Sequence, residues 1–421
     1  MHLSLLDHPR GRTAVFAVLY ASEGAPIGFI WWALPTLLRA TDVPVAQITS
    51  LTAVLVLPWV LKFLWAPLLD LLRGPRWGYR AWIVVSQLSM AATLVPLVWL
   101  DPVASFDTWR LLLLMHAVAA ATQDVAIDAL VIGTAPPQER GRLNGAMQAG
   151  MLVGRSVFGG GVLIVGTTLG TSGIIVALIA WICVPLVLIL LVREPARLAV
   201  PTAVEAPMSA ALTQVFRLRS TWIGLAFALT GAAAFEATGQ LAGPFLVDRG
   251  VASGTIGVFF SVYVVAATLI GGLVGGWLSD RWGRTRALTV FLLAVVASVA
   301  ALGWIDLRGG ASAAVLIAML VAMYFTVGLF TVASYAYFMD LTHPRLGATQ
   351  FTTFMAATNG CESWSAWAGG ALVASSGYGS AFLVMAGVSL LALGFLTLGT
   401  SEQSPRSRVQ PEPLGNSTWR S

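Results

Sequence analysis

Charge is what this sequence has least of. Of its 421 residues, 10% are Asp, Glu, Lys or Arg, against about 25% in soluble globular domains. Hydrophobic residues make up 57%, and the mean hydropathy is +0.82. A chain so poor in charge is read as an all-α integral membrane protein. Cysteine is scarce as well. Cys183 and Cys361 both fall inside apolar runs, so neither a disulfide framework nor a thiolate metal site is expected, and both read as packing residues. There is no Walker A sequence, paired-Cys motif or H-E-x-x-H, which disfavours ATP-driven transport by this chain alone and membrane metalloprotease activity. No cofactor and no metal are expected. The first apolar run is too long for a signal peptide and lacks a small-residue cleavage site, so it is expected to stay as a helix.

What the chain does have is long apolar runs. Crossing a hydrocarbon core takes about 20 apolar residues, and twelve such spans are expected: 13–38, 47–69, 81–100, 109–134, 143–166, 171–192, 221–247, 254–278, 286–305, 312–338, 348–374 and 379–400. They divide the chain into a six-helix bundle at 1–192, a cytoplasmic linker at 193–220, a second bundle at 221–400 and a tail at 401–421. The tail is rich in Pro, Ser and Arg and is expected to be disordered.

Positive charge sets the expected orientation. With a cytoplasmic N-terminus, eighteen arginines fall on that side: residues 10, 12, 73, 76, 80, 140, 142, 193, 197, 217, 219, 281, 284, 286, 345, 406, 408 and 420. Four, Arg39, Arg110, Arg249 and Arg308, fall on the other. This bias predicts cytoplasmic termini. The pI near 9.6 then follows from topology, and no nucleic-acid partner is implied.

The two halves repeat. "LPTLLRATDVPVAQITS" after the first span is similar to "GPFLVDRGVASGTIGVF" after the seventh, and each leads through an apolar run to an acidic turn. Those turns, "APLLDLLRGPRWGYR" and "GGWLSDRWGRTR", align Asp70 with Asp280 at a spacing of 210 residues. Two such bundles resemble the major facilitator superfamily. The second turn resembles that superfamily's G-x-x-x-D-R-x-G-R pattern through Gly276, Asp280, Arg281, Gly283 and Arg284, while the first has Pro67 in place of the Gly. Four further stretches, "VLKFLWAPLLD", "ATQDVAIDAL", "PPQERGRLNGAMQAG" and "HPRLGATQFTTFMAATN", are similar to the branch holding AmpG-type muropeptide permeases, acetyl-CoA transporters and RhtX/FptX-type siderophore importers. Length and the stretch "LYASEGAPIGF" look more like the siderophore importers. The resemblance implies a monomeric multi-pass transporter of the bacterial inner membrane that acts on a bulky polar small molecule.

Charges inside the spans are the candidate site, because each is costly unless it faces a partner or a cavity. At about 1.5 Å per residue, Glu23, Asp124 and Arg155 share one level near mid-membrane. Asp124 reads either as a transport-site carboxylate or as a static ion-pair partner of Arg155. Arg155 reads as an anion-binding fork or as that partner, within a Gly-rich packing surface. Asp128 lies nearer the cytoplasm, at a depth similar to Lys62, and the two read as a cytoplasmic gate together with Asp70, Asp280, Arg281 and Arg284. In the second half Glu236 and Glu362 also share a level with no basic residue of their own half beside them. Such carboxyls are candidates for loading and releasing a proton or binding substrate, against a bland reading as hydrogen-bonded packing groups. His116 is expected to be a packing histidine. Trp31, Trp32, Tyr263, Tyr335 and Tyr337 either line a cavity or anchor helices, with Tyr335 and Tyr337 the candidate substrate contacts.

The expected function is proton-coupled uptake of a bulky polar solute, siderophore-like or muropeptide-like, with an anionic group tolerated. Export of the same solute class and a non-transporting sensor are the alternatives. A membrane acyltransferase would need a His or Ser constellation, and His116 has no evident partner for one.

Overall fold

The computed structural model describes residues 5–72, 77–195, 208–342 and 347–402. The turn at 73–76, linker residues 196–207, the turn at 343–346 and the tail from 403 lie outside them, as does the side chain of Asp70. The described residues form helices and no strand. This follows from the composition, since an apolar environment leaves each backbone N–H and C=O to be paired within its own segment.

Ten helices among the described residues are long and apolar enough to cross a membrane. In chain order, α1 is Pro9–Ala40, α2 Val45–Leu64, α3 Tyr79–Val98, α4 Phe106–Thr134, α5 Gly141–Gly166 and α6 Thr168–Leu191. The shorter α7 (Arg219–Gly231) and α8 (Ala233–Asp248) follow. Then come α9, Ser253–Trp282, α10, Arg284–Arg308, α11, Ala313–Leu341, and α12, Gln350–Leu398. Two differences from the expected spans have local causes. The single span expected at 221–247 breaks at Ala232 within the small-residue run Gly231–Ala234, and the backbone N–H freed at Ala234 donates to Ser389 Oγ at 2.8 Å. The spans expected at 348–374 and 379–400 are two limbs of α12, bent at Gly377, whose φ of 80° suits glycine. Part of the expected linker is helical, at Met208–Arg217, and packs on α7 and α12.

Helices α1–α6 pack chiefly on one another, as do α7–α12, except that α2 packs chiefly on α12 of the other half. Within lipid this packing depends on close fit rather than on removal of apolar surface from water. Helices α1 and α5 show how: a Cβ added at Gly24, Gly28, Gly150 or Gly154 would strike backbone of the facing helix. Three π-helical turns, Phe29–Ala33 in α1, Ser156–Gly161 in α5 and Phe259–Val264 in α9, meet near the centre.

Three seams join the halves: α1 with α8, α2 with α12, and α5 with α9. On the first, Arg39 Nε donates to Asp248 Oδ1 at 2.6 Å, and Asp248 is held from within its own half by Tyr378 OH, which donates to Oδ2 at 2.8 Å. On the second, Ser363 Oγ donates to the Ala53 carbonyl at 2.8 Å, and Gly370 lies against Thr49. On the third, Ser156 Oγ donates to the Ser261 carbonyl at 2.7 Å, and Gly160 lies against the backbone of Gly257 and Ser261. These contacts lie toward the end bearing the α1–α2 and α8–α9 turns. At the terminus-bearing end, the ion pairs Arg12–Glu139 and Arg284–Asp340 each stay within one half.

Candidate functional site

Two clusters of polar side chains occupy the bundle interior, one within the first half and one between the halves. The first is built by α1, α2 and α4. Tyr20 and Glu23 are three residues apart on α1, and Asp124 and Asp128 four apart on α4, so each pair shares a helix face. Helix α2 ends in a tight turn at Lys62–Leu64, which delivers the chain's one lysine to α4. Trp65 Nε1 pins that turn by donating to Thr122 Oγ1 at 3.1 Å.

Lys62 forms an ion pair with Asp124, and Tyr20 OH donates to Asp128. Glu23 is 2% exposed, its Oε2 has no hydrogen-bond partner, and it lies within electrostatic reach of Asp124, Lys62 and Asp128. Three carboxyls therefore surround one ammonium. The sequence suggested pairing Lys62 with Asp128, and Arg155 with Asp124 or Glu23. The structure gives Lys62 to Asp124 instead, because the flexible lysine stem carries its charge away from the depth of its own Cα.

Arg155 belongs to the second cluster. It sits at the last α-helical residue before the π turn of α5, where the wider turn changes the helix face. Its guanidinium lies over Trp31 at 5.5 Å and Trp32 at 5.9 Å. Both indoles are held in turn, Trp31 by Trp59 at 5.6 Å and Trp32 by stacking on Phe260 at 5.2 Å. Among the described residues no carboxylate forms an ion pair with Arg155, and its Nε is buried without a partner.

The second half faces it with Glu236, in the first turn of α8 just past the break, and Glu362 on α12. Both lie within electrostatic reach of Arg155. Gln240 Nε2 donates to Glu362 Oε1 at 2.9 Å. Tyr335 is 42% exposed yet shares the electrostatic neighbourhood of Glu236, Glu362 and Arg155, so it borders an internal cavity rather than lipid. Tyr337, 1% exposed and edge-on to Phe227 at 5.3 Å, is core instead. Tyr263 is exposed, outside the cluster.

The remaining candidates lie elsewhere. His116 is fully buried, with Nδ1 3.1 Å from the Met90 carbonyl and 3.4 Å from Thr93 Oγ1, while its Nε2 is buried without a hydrogen-bond partner. At the terminus-bearing end Asp280 is exposed, Arg281 lies over Trp277 at 4.5 Å and Arg284 pairs with Asp340. Among the described residues no group of three or more His, Cys, Asp or Glu is arranged to hold a metal ion. Sequence reasoning missed Tyr20, Gln240, Arg39 and Asp248. The first two were legible as same-face neighbours of Glu23 and Glu236, and the last two as equivalent positions of the repeat.

A family model described as Major Facilitator Superfamily matches residues 16–361 and 240–421. A "Putative transporter AmpG 4" of Rickettsia conorii is 26% identical over 395 residues, covering 90% of this chain and 94% of that protein. The "Anhydromuropeptide permease" of Escherichia coli K12 is 27% identical over 363 residues, covering 84% of this chain and 72% of the relative. Two solved structures share the fold. The nucleoside transporter NupG has a TM-score of 0.73 at 13% identity over 92% of this chain and 98% of its own. A bacterial homologue of the human lysosomal transporter Spinster has a TM-score of 0.74 at 16% identity over 96% and 99%.

Proposed function

The chain belongs to the major facilitator superfamily, and from that premise we propose that it imports an anhydromuropeptide-like solute across the bacterial inner membrane, coupled to protons. Its AmpG-type relatives support the muropeptide side of the expected substrate range over the siderophore side. The length matches the AmpG 4 protein of Rickettsia conorii, covered over 94%, while the Escherichia coli permease is longer and is covered over 72%. In this reading α7 and α8 together make one crossing and the limbs of α12 two, so the chain crosses twelve times, with residues 1–192 and 221–400 as the two bundles and both termini cytoplasmic. The seam contacts lie toward the end opposite the termini, which in this reading makes the state inward-facing.

The observation that carries the coupling step is the Lys62–Asp124 pair, its lysine half-buried and its carboxylate buried, with buried Glu23 beside it. One ammonium neutralises one of three carboxyls, and a proton that joins or leaves the cluster changes its net charge. A change of charge inside a helix bundle is costly, so it favours a different packing of α1, α2 and α4. The solute sits in the second cluster. Arg155 receives an anionic group through its planar fork, oriented by Trp31 and Trp32, and Tyr335 borders the same cavity. Lys62, Asp128 and the acidic and basic residues at Asp70, Asp280, Arg281 and Arg284 act as the cytoplasmic gate.

The test is uptake into proteoliposomes carrying the purified protein. An anhydromuropeptide is expected to accumulate under an inward proton gradient, and the accumulation to collapse with a protonophore. Accumulation indifferent to the gradient removes the coupling assignment; accumulation of a ferric siderophore alone returns the substrate to the other branch.

A further inference from the structure

We infer that the cavity between the halves recognises an ammonium group of its solute as well as an anionic one, with Glu236, Glu362 and Gln240 as the ammonium site. This inference rests on the transport reading above and narrows its substrate to a zwitterion. Gln240 lies one turn beyond Glu236 on α8, so the two share a face, and the Gln240 amide is bonded to Glu362 on α12. Acceptors converge there in excess of donors. The Glu236 carboxyl takes no hydrogen bond or ion pair from any described residue, Glu362 keeps its second oxygen, and Gln240 Oε1 is buried without a partner in a residue only 5% exposed.

The cation within electrostatic reach of both carboxyls is Arg155, which belongs to the other half and lies against two indoles. A primary ammonium carries three N–H donors and no acceptor, which matches three acceptors from three side chains. A lone proton would satisfy one carboxyl and leave Gln240 Oε1 unused. A sodium ion would need further oxygen ligands, and the Leu229 and Thr230 carbonyls beside the break already accept from Trp364 Nε1 at 2.9 Å and Ser389 Oγ at 3.2 Å. With an anion at Arg155 and an ammonium at the acids, the solute bridges the halves with its charges balanced, which lowers the cost of drawing both out of water.

The experiment compares an anhydromuropeptide bearing a free diamino-acid amine with the same molecule N-acetylated at that amine, as substrates of the wild-type protein in proteoliposomes. The free amine is expected to be taken up better by roughly tenfold or more at limiting concentration, the scale of one charge-assisted hydrogen bond. Glu236→Gln, Glu362→Gln and Gln240→Leu should each shrink that preference, whereas Arg155→Gln should slow both forms while keeping it. Equal uptake of the two forms by the wild type overturns the ammonium site and leaves the transport reading standing. A preference that survives Glu236→Gln and Glu362→Gln together also overturns it. Uptake of neither form overturns the transport reading, and this inference with it.

Discussion

Arg39 and Asp248 close the end of the bundle opposite the termini, and removing them should open it by an amount the structure bounds. Their side chains are 24% and 21% exposed, which places the pair among surface ion pairs worth about 0.2–1 kcal/mol. Tyr378 donates to the same carboxylate at 2.8 Å, a hydrogen bond worth about 1 kcal/mol. Arg39→Gln loses only the first contribution and should shift the population toward the far-end-open state by about 1.5- to 5-fold. Asp248→Asn removes the same pair and should shift it by a similar amount, about 1.5- to 5-fold, because the Tyr378 bond lies within the second half and does not part with the seam. The reporter is Thr49→Cys in a background without Cys183 and Cys361, because Thr49 is fully buried against Gly370 in the α2–α12 seam. A membrane-impermeant maleimide should label it only when the seam parts. A double-mutant cycle isolates the pair, and the coupling should shrink as salt rises, since exposed charges are screened. If Arg39→Gln changes labelling equally in the wild-type and Asp248→Asn backgrounds, the two residues do not interact, and the lock is elsewhere.

Three further outcomes are expected. Asp124→Asn should abolish gradient-driven accumulation while solute exchange at equal pH continues; Lys62→Met should cost more stability in a thermal-shift assay than Lys62→Met with Asp124→Leu, because a buried charge stripped of its partner costs about 3–5 kcal/mol. Arg155→Lys should raise the KM for an anionic solute with little change in kcat, as the bidentate fork is lost; an unchanged KM removes Arg155 from the binding site. Gly160→Val should wedge α5 from α9 against the backbone of Gly257 and Ser261 and increase far-end labelling of Thr49→Cys; unchanged labelling means the seam does not close there.

Depth along a helix was legible in the sequence, and direction around it was not. Counting rise placed Glu23, Asp124 and Arg155 at one level, yet the structure separates them by face. Glu23 and Asp124 turn into the first bundle beside Lys62, while Arg155 turns toward Trp31, Trp32 and the other half. Two local features rotated the answer: the turn at Lys62–Leu64 and the π turn that begins at Ser156. Neither has a side-chain signature, since a π turn adds a residue per turn without changing composition. The break at Ala232 was equally silent, because Ala and Gly are ordinary packing residues in membrane helices.

The Arg39–Asp248 pair differs, because the repeat already contained it. Aligning the turn after the first span with the turn after the seventh superimposes Pro35 on Pro244 and so sets Arg39 opposite Asp248, 209 residues apart. In two halves related by an approximate two-fold axis, equivalent positions meet only where they lie beside that axis, as in an isologous contact. Like charges at such positions would repel, so a pair that meets there must break the repeat. Arg in one copy and Asp in the other is the break that lets the halves attract. The same argument explains why Arg12–Glu139 and Arg284–Asp340, which lie within single halves, had no such signal: each joins positions that the repeat does not relate, and only the fold brings them together.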